Sequence, residues 1–566
     1  LPLALYVSLS LATRTNDMRD YFVCGRRVPP VYNGAVLAAV LVGGIGFFAY
    51  TGTLFFLGFD GLAIGLGWTA GLFLAGLLFV PYLRKAGAYT LPAFLGQRFR
   101  SRALRSAASL LQLPPTALLL AAEIKIAAFI AVLFLPVSYG LAVAGVAASI
   151  TVITLAGGMR SLTWSSASGF IVAAAGLAAP LIVVSVMLTT LPAPQFTYAE
   201  LLSPLQRAEI VTGISPVSPS ELGAPFPGEQ PQPSMKPFLQ PFGAIGMTDF
   251  VTLFLCLTLG AASLPSLLVR SGVTSSVADQ RRSVAWAVLF VALFAATAPA
   301  LAAFARLLIF QDIAQAPAGA IPSWFRDLTG YRLLLAQDTN GDGAIGAAEL
   351  LIARDGIPIA LPEAARLPFV LTVLMATAGL GLAIAAAASH LFTLAGSVAE
   401  DLVGVIDPHS VALPRLMVVW VAIAATAISV AVFLAFADLD VLSAAVTAFA
   451  FAAATFFPAL VLAIWWKRCT WLGAALALAL GFGTICFDLA LGGAFAGGNI
   501  RLTTVIAALL GATLGLAGGL IGSRFGPQAS AQEQAYFEEL REPGGEPLHD
   551  RAQRRVVTAK DQASPA

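Results

Sequence analysis

Apolar runs long enough to cross a bilayer, which takes about 20 residues as a helix, follow one another along nearly the whole chain. They fall at about 1–13, 34–57, 62–83, 106–134, 139–156, 163–189, 245–269, 284–310, 367–396, 413–437, 441–466, 470–492 and 502–522. A lipid-facing segment must satisfy its own backbone N–H and C=O groups, which a helix does internally. The pattern therefore predicts an all-α membrane protein with about 13 transmembrane helices. Composition agrees, at 58% hydrophobic and 11% charged, against roughly 25% charged in a soluble domain. The first run is short and the chain begins at Leu1. A cleaved signal peptide needs a basic region and a small-residue cleavage site, so a clipped or misassigned start is expected instead.

Lys and Arg set the orientation. Arg14, Arg19, Arg26 and Arg27, then Arg84, Lys85, Arg98, Arg100, Arg102 and Arg105, then Arg160, then Arg270, Arg281 and Arg282, then Arg415, then Lys467 and Arg468 occupy alternate connections. The short connections near Phe59, Val137 and Leu439 carry none. Positive loops are cytoplasmic, so the amino terminus is predicted outside, the tail from Ser523 inside, and the polar insertions 190–244 and 311–366 at the exterior. The net charge of +2 then reports topology, not nucleic-acid binding. Cys24, Cys256, Cys469 and Cys486 show no paired spacing, so neither a disulfide framework nor a zinc site is expected. No nucleophile constellation, phosphate-binding loop or metal-activated-water motif is present, which excludes the usual enzyme classes. His390, His409 and His549 are isolated, and His390 reads as a core residue with its polar atoms satisfied.

Three features carry chemistry. Gly43, Gly44 and Gly46 interrupt the run 34–57; either the helix unwinds there around something it binds, or small residues let helices pack closely. Glu123 and Lys125 sit inside the run 106–134, where charge is costly and functional by default. Two residues apart, they point to different faces of a helix. Asp249, Asp438 and Asp440 read as solvated ends of spans. Finally, Asp338 to Glu349 follows the EF-hand loop pattern. Asp338, Asn340 and Asp342 would offer side-chain oxygens, Ala344 its carbonyl, Gly346 a water and Glu349 a bidentate carboxylate, with Gly343 at the sharp turn. The expectation is one structural calcium ion; the alternative is a metal-free Asx-rich turn, because one flank forms helix poorly. Residues 213–241 are too proline-rich to pack, and the tail 523–566, polar and charged from Pro527, is expected to be cytoplasmic and disordered or a weak partner-binding segment, with one short helix near Gln532 to Arg541.

YFVCGRRVPPVYNG, GFDGLAIGLGW, PYLRKAGAYTLPAFLGQRF, AGGMRSLTW and RRSVAWAVLF resemble the sodium:solute symporter family in its acetate-permease-like (cation/acetate symporter) branch, from about Tyr21 to Arg468. The resemblance implies two inverted five-helix repeats of the LeuT type plus extra helices, the first helix of each repeat being broken in mid-membrane. Gly260 and Pro265 inside a span fit such a break independently. The implied division is 1–33 (partial first helix and basic loop), 34–189 (first repeat), 190–244 (exterior insertion), 245–466 (second repeat, with insertion 311–366), 467–522 (accessory helices) and 523–566 (tail).

The resemblance also implies a cation site made of the carbonyls of Ala39, Val42 and Leu382 and two hydroxyls, at positions held here by Ala385 and Ala386. Both hydroxyls are missing, and Ser389 lies one turn further on. Val40, Gly43, Gly46 and Ala49 stand where the branch carries polar residues, and Glu123 replaces a neutral amide. Sodium is therefore not expected to drive the protein. Glu123 could carry a proton, balance a charged solute, or form a structural pair. The implied function is secondary transport of a small solute such as acetate or another monocarboxylate by alternating access, in a bacterial inner membrane, with a small two-helix membrane subunit as a partner. The alternatives are a transport-deficient homologue acting as a sensor or subunit, and a proton-coupled or uncoupled carrier using Glu123.

Overall fold

A computed structural model describes residues 2–15, 17–211, 235–313, 323–330, 333–336, 341, 343, 345, 350–404, 412–436, 439–492, 502–542, 547–548 and 551. Asp338, Asn340, Asp342, Ala344, Gly346 and Glu349 lie outside the described residues, as do His409, Asp438, His549 and most of 213–241.

The chain is almost entirely helical. The elements used below are α1 (Pro2–Ala12), α2 (Pro30–Gly44), α3 (Thr51–Leu57), α4 (Leu62–Leu78), α5 (Leu91–Arg98), α6 (Arg102–Leu111), α7 (Leu113–Phe134), α8 (Tyr139–Thr189) and α9 (Leu202–Val211). They continue with α10 (Met247–Ser263), α11 (Pro265–Leu268), α12 (Val277–Ile313), α13 (Phe369–Ser397), α14 (Ala412–Phe436), α15 (Val441–Phe451), α16 (Phe457–Trp465), α17 (Trp471–Gly492), α18 (Leu502–Phe525) and α19 (Ala531–Arg541). Among the described residues, 9 helical stretches are long and apolar enough to cross a membrane. Tyr139–Thr189 contains two of the apolar runs, and Pro30–Leu78 contains one and most of the next, 62–83.

In α8 the two runs meet without a loop. Gly158 breaks the helix at φ +52, and a Cβ there would lie 2.6 Å from the Tyr21 carbonyl oxygen, so only glycine lets the chain pass so close. The α2 to α4 stretch has its most apolar window wholly buried. Around it, α2 packs against α8, α12 and α13, α4 against α10, and α7 against α13 and α15. α17 and α18 pack on each other, and α17 is the most exposed of the spans.

The insertion 311–366 contains the only strands among the described residues, β1 (Leu334–Ala336) and β2 (Leu350–Ile352), paired antiparallel with Leu334 opposite Ile352. This ribbon closes the base of the EF-hand-like loop, so the flanks are strands and not the helix pair of a helix–loop–helix unit. Gly343 takes φ +79, a turn geometry natural to glycine. At the other end of the chain, the expectation of a disordered tail fails over Ala531–Arg541: α19 is fixed by a capping box at Ser530 and Glu533 and docks with Phe537 and Leu540 buried, because its apolar residues find a surface to cover.

Candidate functional site

Near the middle of its span, α2 stops being helical at Gly43, which takes φ +55 and ψ −167, a region essentially restricted to glycine. The chain resumes as a π-type turn over Ile45–Tyr50 and then α3. Glu123, from the middle of α7 and 1% exposed, closes this break: its Oε2 accepts the Gly44 N–H at 2.8 Å, and the carboxyl group also faces the Ile45 N–H. A helix N-terminus attracts negative charge because its first N–H groups are unpaired. At this one the acceptor is the protein's own carboxyl group.

The three glycines divide between the two readings. Gly43 is the unwound residue, whereas Gly44 and Gly46 are packing positions. A Cβ on Gly44 would lie 2.6 Å from Ala383 Cβ, and one on Gly46 would lie 2.8 Å from Val42 Cγ1 and 3.1 Å from the Trp68 ring. A Cβ on Gly43 would overlap Glu123 Oε1 and lie 3.2 Å from Ala386 Cβ. Gly43, Glu123 and Ala386 therefore converge on one point.

Ala39, Val42, Leu382, Ala385, Ala386 and Ser389 are all buried on α2 and α13. At Ala385 and Ala386 the side chains end in methyl groups, and the Ser389 hydroxyl donates to the Ala385 carbonyl at 2.9 Å within its own helix. A hard cation takes a cage of oxygens; of the expected set only the backbone carbonyls of Ala39, Val42 and Leu382 remain, both hydroxyls being absent, and the side-chain oxygens that converge on Ala386 are those of Glu123, which already accepts the Gly44 N–H. Lys125 does not join the site: its Nζ donates to the Leu439 carbonyl at 2.6 Å. His390 is buried, but its Nδ1 makes no hydrogen bond among the described residues, contrary to the expectation of a satisfied core histidine.

A second break lies between α10 and α11, where Leu264 is extended, with φ −65 and ψ 120, because Pro265 lacks an N–H and pushes the preceding residue out of the helical region. There Ser263 Oγ donates to the Ala452 carbonyl at 2.9 Å. Aromatic rings occupy the neighbourhood of the two breaks: Tyr50 and Trp68 are 5.5 Å apart, and Trp68 and Phe449 6.0 Å apart. A cavity of about 280 Å³ reaches Val42, Phe47 and Leu382 from between α8 and α12. Its walls are apolar apart from Gln195 and Thr297, which hydrogen-bond to each other at 2.8 Å.

Both ends of the core are closed by polar contacts that the sequence reading did not single out. On the side of the long insertions, Asp60 pairs with Lys236 Nζ at 2.5 Å and accepts the N–H groups of Phe242, Ala244 and Ile245. Arg306 is fully buried and donates to the carbonyls of Phe55 and Lys236. Its Nε lies 2.8 Å from Glu209 Oε1, an ion pair by distance in which the N–H does not point along the contact. Burial pushes the Glu209 carboxyl up, against the pull of Arg306 and the Phe238 N–H. Arg354 bridges Asp355 at 2.8 Å and Asp440 at 2.9 Å. Burial opposes its charge, but the two carboxylates outweigh that and hold its pKa above the ordinary value. Asp440, expected to be a solvated end, is instead buried and caps α15 through the Ser443 N–H at 2.8 Å; its partner Arg354 comes from an insertion distant in sequence.

On the opposite side, Arg26 donates to the carbonyls of Gly87 and Gly272, and Arg84 to those of Thr274 and Ser275. Arg105 Nε pairs with Asp401 at 2.7 Å. The rule that flags Glu123, charge within an apolar run, would also have flagged Arg306.

A model of the sodium:solute symporter family matches residues 21–323. An uncharacterised symporter of Cupriavidus necator is 28% identical over 571 aligned residues, covering 86% of this chain and 83% of that protein. A monocarboxylic acid transporter of Corynebacterium glutamicum is 24% identical over 481 residues, covering 84% and 79%. In fold the chain is similar to a sodium-coupled sialic acid symporter solved in a substrate-bound outward-open state, with a TM-score of 0.68 and 15% identity over 94% of this chain and 97% of that one.

Proposed function

Because the chain belongs to the sodium:solute symporter family, and is thus a multi-pass membrane transporter of small solutes and not an enzyme, we propose that it is a secondary carrier for a monocarboxylate such as acetate. The observation that carries this reading is the break at Gly43 with Glu123 on the Gly44 N–H: a half-helix N-terminus at mid-span is built to hold a carboxylate. The name of the Corynebacterium relative supports the solute class.

In this reading the helices form about 13 spans, with inverted repeats over 34–189 and 245–466 whose first helices break at Gly43 and Leu264. The amino terminus and both long insertions face the exterior, the carboxyl terminus lies in the cytoplasm of a bacterial cell, and a small two-helix membrane protein accompanies the chain.

The coupling ion is a proton. When Glu123 is ionised it occupies the half-helix terminus itself. A proton taken up by Glu123 removes that charge, and the solute carboxylate replaces it on the N–H groups, so one proton and one monocarboxylate move together without net charge. Ala385 and Ala386 favour this over sodium, since neither offers an oxygen. A second reading, a transport-deficient scaffold, is favoured by Glu123 filling the break.

Counterflow uptake of labelled acetate, lactate and pyruvate into proteoliposomes, with sodium and pH varied separately, tests the proposal. Uptake that responds to pH and ignores sodium is expected. Sodium-stimulated uptake would overturn the coupling, and no counterflow of any of the three would favour the scaffold.

A further inference from the structure

A cavity of about 720 Å³ lies far from the breaks, where the start of α6, the start of α17 and the segment leading into α19 meet. Arg100, Arg102, Trp471, Gln528, Ser530 and Gln532 line it. Arg100 and Arg102 are exposed, and neither has an ion pair or hydrogen bond among the described residues. The one carboxylate in the wall, Glu533, is already engaged, since its Oε2 accepts the Ser530 N–H at 2.6 Å. Two guanidiniums thus face one committed carboxylate, and the cavity is short of negative charge.

Its walls are fastened. Arg98 lies 4.9 Å from the Phe537 ring, Lys467 pairs with Glu538 at 2.6 Å, and Phe537 and Leu540 are buried, so α19 is held as the far wall. Its depth in the membrane is marked by Trp471 at the start of α17, 40% exposed, since Trp at span ends sits at headgroup level.

We propose that this cavity binds the phosphodiester headgroup of an anionic phospholipid from the leaflet on the arginine-rich side. A phosphodiester carries one negative charge and acceptor oxygens suited to the planar fork of arginine. Gln528, Ser530 and Gln532 offer polar partners to a glycerol headgroup, and Trp471 packs beside the acyl ester region. The lipid then bridges α6, α17 and the tail helix. None of this depends on the identity of the transported solute.

The test is titration of the detergent-purified full chain with short-chain phosphatidylglycerol and phosphatidylcholine, read as bound lipid by native mass spectrometry. Phosphatidylglycerol is expected to bind more tightly. Arg100→Gln with Arg102→Gln should weaken it about 25-fold, at about fivefold per arginine near an anionic headgroup. Arg100→Lys with Arg102→Lys, which keeps the charge but loses the fork, should weaken it by a smaller factor. Arg524→Gln, an exposed arginine outside the cavity, should leave binding unchanged. Wild-type affinity in the double glutamine variant would overturn the proposal. So would an equal loss on Arg524→Gln, which would mean diffuse charge attraction, or displacement of the lipid by millimolar inorganic phosphate, which would mean a small-anion site.

Discussion

Replacing Glu123 by alanine and by glutamine separates what its side chain does for the helix break from what its charge does. Both substitutions remove the charge, so any desolvation cost of a buried carboxylate cancels when the two variants are compared with each other. What differs is the acceptor. Glutamine keeps a carbonyl oxygen where Glu123 Oε2 accepts the Gly44 N–H at 2.8 Å, whereas alanine leaves that N–H unpaired at a position 1% exposed. A stranded buried donor costs about 1–3 kcal/mol, and the shortened side chain adds a cavity term of the same sign. The alanine variant should therefore be less stable than the glutamine variant by at least about 2 kcal/mol. Unfolding of a large membrane protein in detergent is irreversible, so the readout is the inactivation half-life at fixed temperature. If the difference falls wholly on unfolding, about 2 kcal/mol shortens it about 30-fold. Equal half-lives for the two variants would show that the Gly44 N–H does not depend on residue 123, and the capped break would be wrong.

Arg306→Ala should cost about 3–5 kcal/mol, because it leaves Glu209 buried without its cation and two carbonyls without their donor; a melting temperature within a degree or so of wild type would contradict the closure described for that side. Burial pushes the thiols of Cys24 and Cys469 up to about 11, and the thiolate is the reactive form. Their maleimide labelling should therefore be very slow at pH 7 and rise with pH up to that value, and rapid labelling at pH 7 would contradict their burial. Calcium at millimolar concentration, the range of weak extracellular sites, should raise the melting temperature, and Glu349→Gln should abolish the increment; no effect of calcium would leave an acidic turn.

The membrane character of the chain was legible because a bilayer imposes a minimum apolar length on every span, and residues such as those of 367–396 meet it without ambiguity. Spacing alone leaves Gly43, Gly44 and Gly46 equivalent and cannot say which glycine unwinds. That depends on what stands opposite: the Glu123 carboxyl at Gly43, and Trp68 at Gly46. The ion pairs on the side of the long insertions are invisible in the sequence for a related reason. Asp60 with Lys236, Glu209 with Arg306, and Arg354 with Asp440 join residues from different elements, and neither periodicity nor spacing reports such pairing. Arg26 and Arg84 mark orientation in the sequence, yet each also caps carbonyls of a neighbouring connection. A charge count registers that such residues exist and is silent about their bonds.

Proton movement accompanying the solute is the central claim, and a pH-sensitive dye trapped inside proteoliposomes reads it directly. Adding acetate, lactate or pyruvate outside in sodium-free buffer should acidify the lumen of vesicles carrying the wild-type chain faster than that of empty vesicles. Vesicles carrying Glu123→Gln, whose neutral amide stands in for the protonated carboxyl, should lose this acidification while still exchanging labelled solute for unlabelled solute, which moves no net proton. Acidification that is unchanged by Glu123→Gln, or uptake that requires sodium in the wild type, would contradict the account.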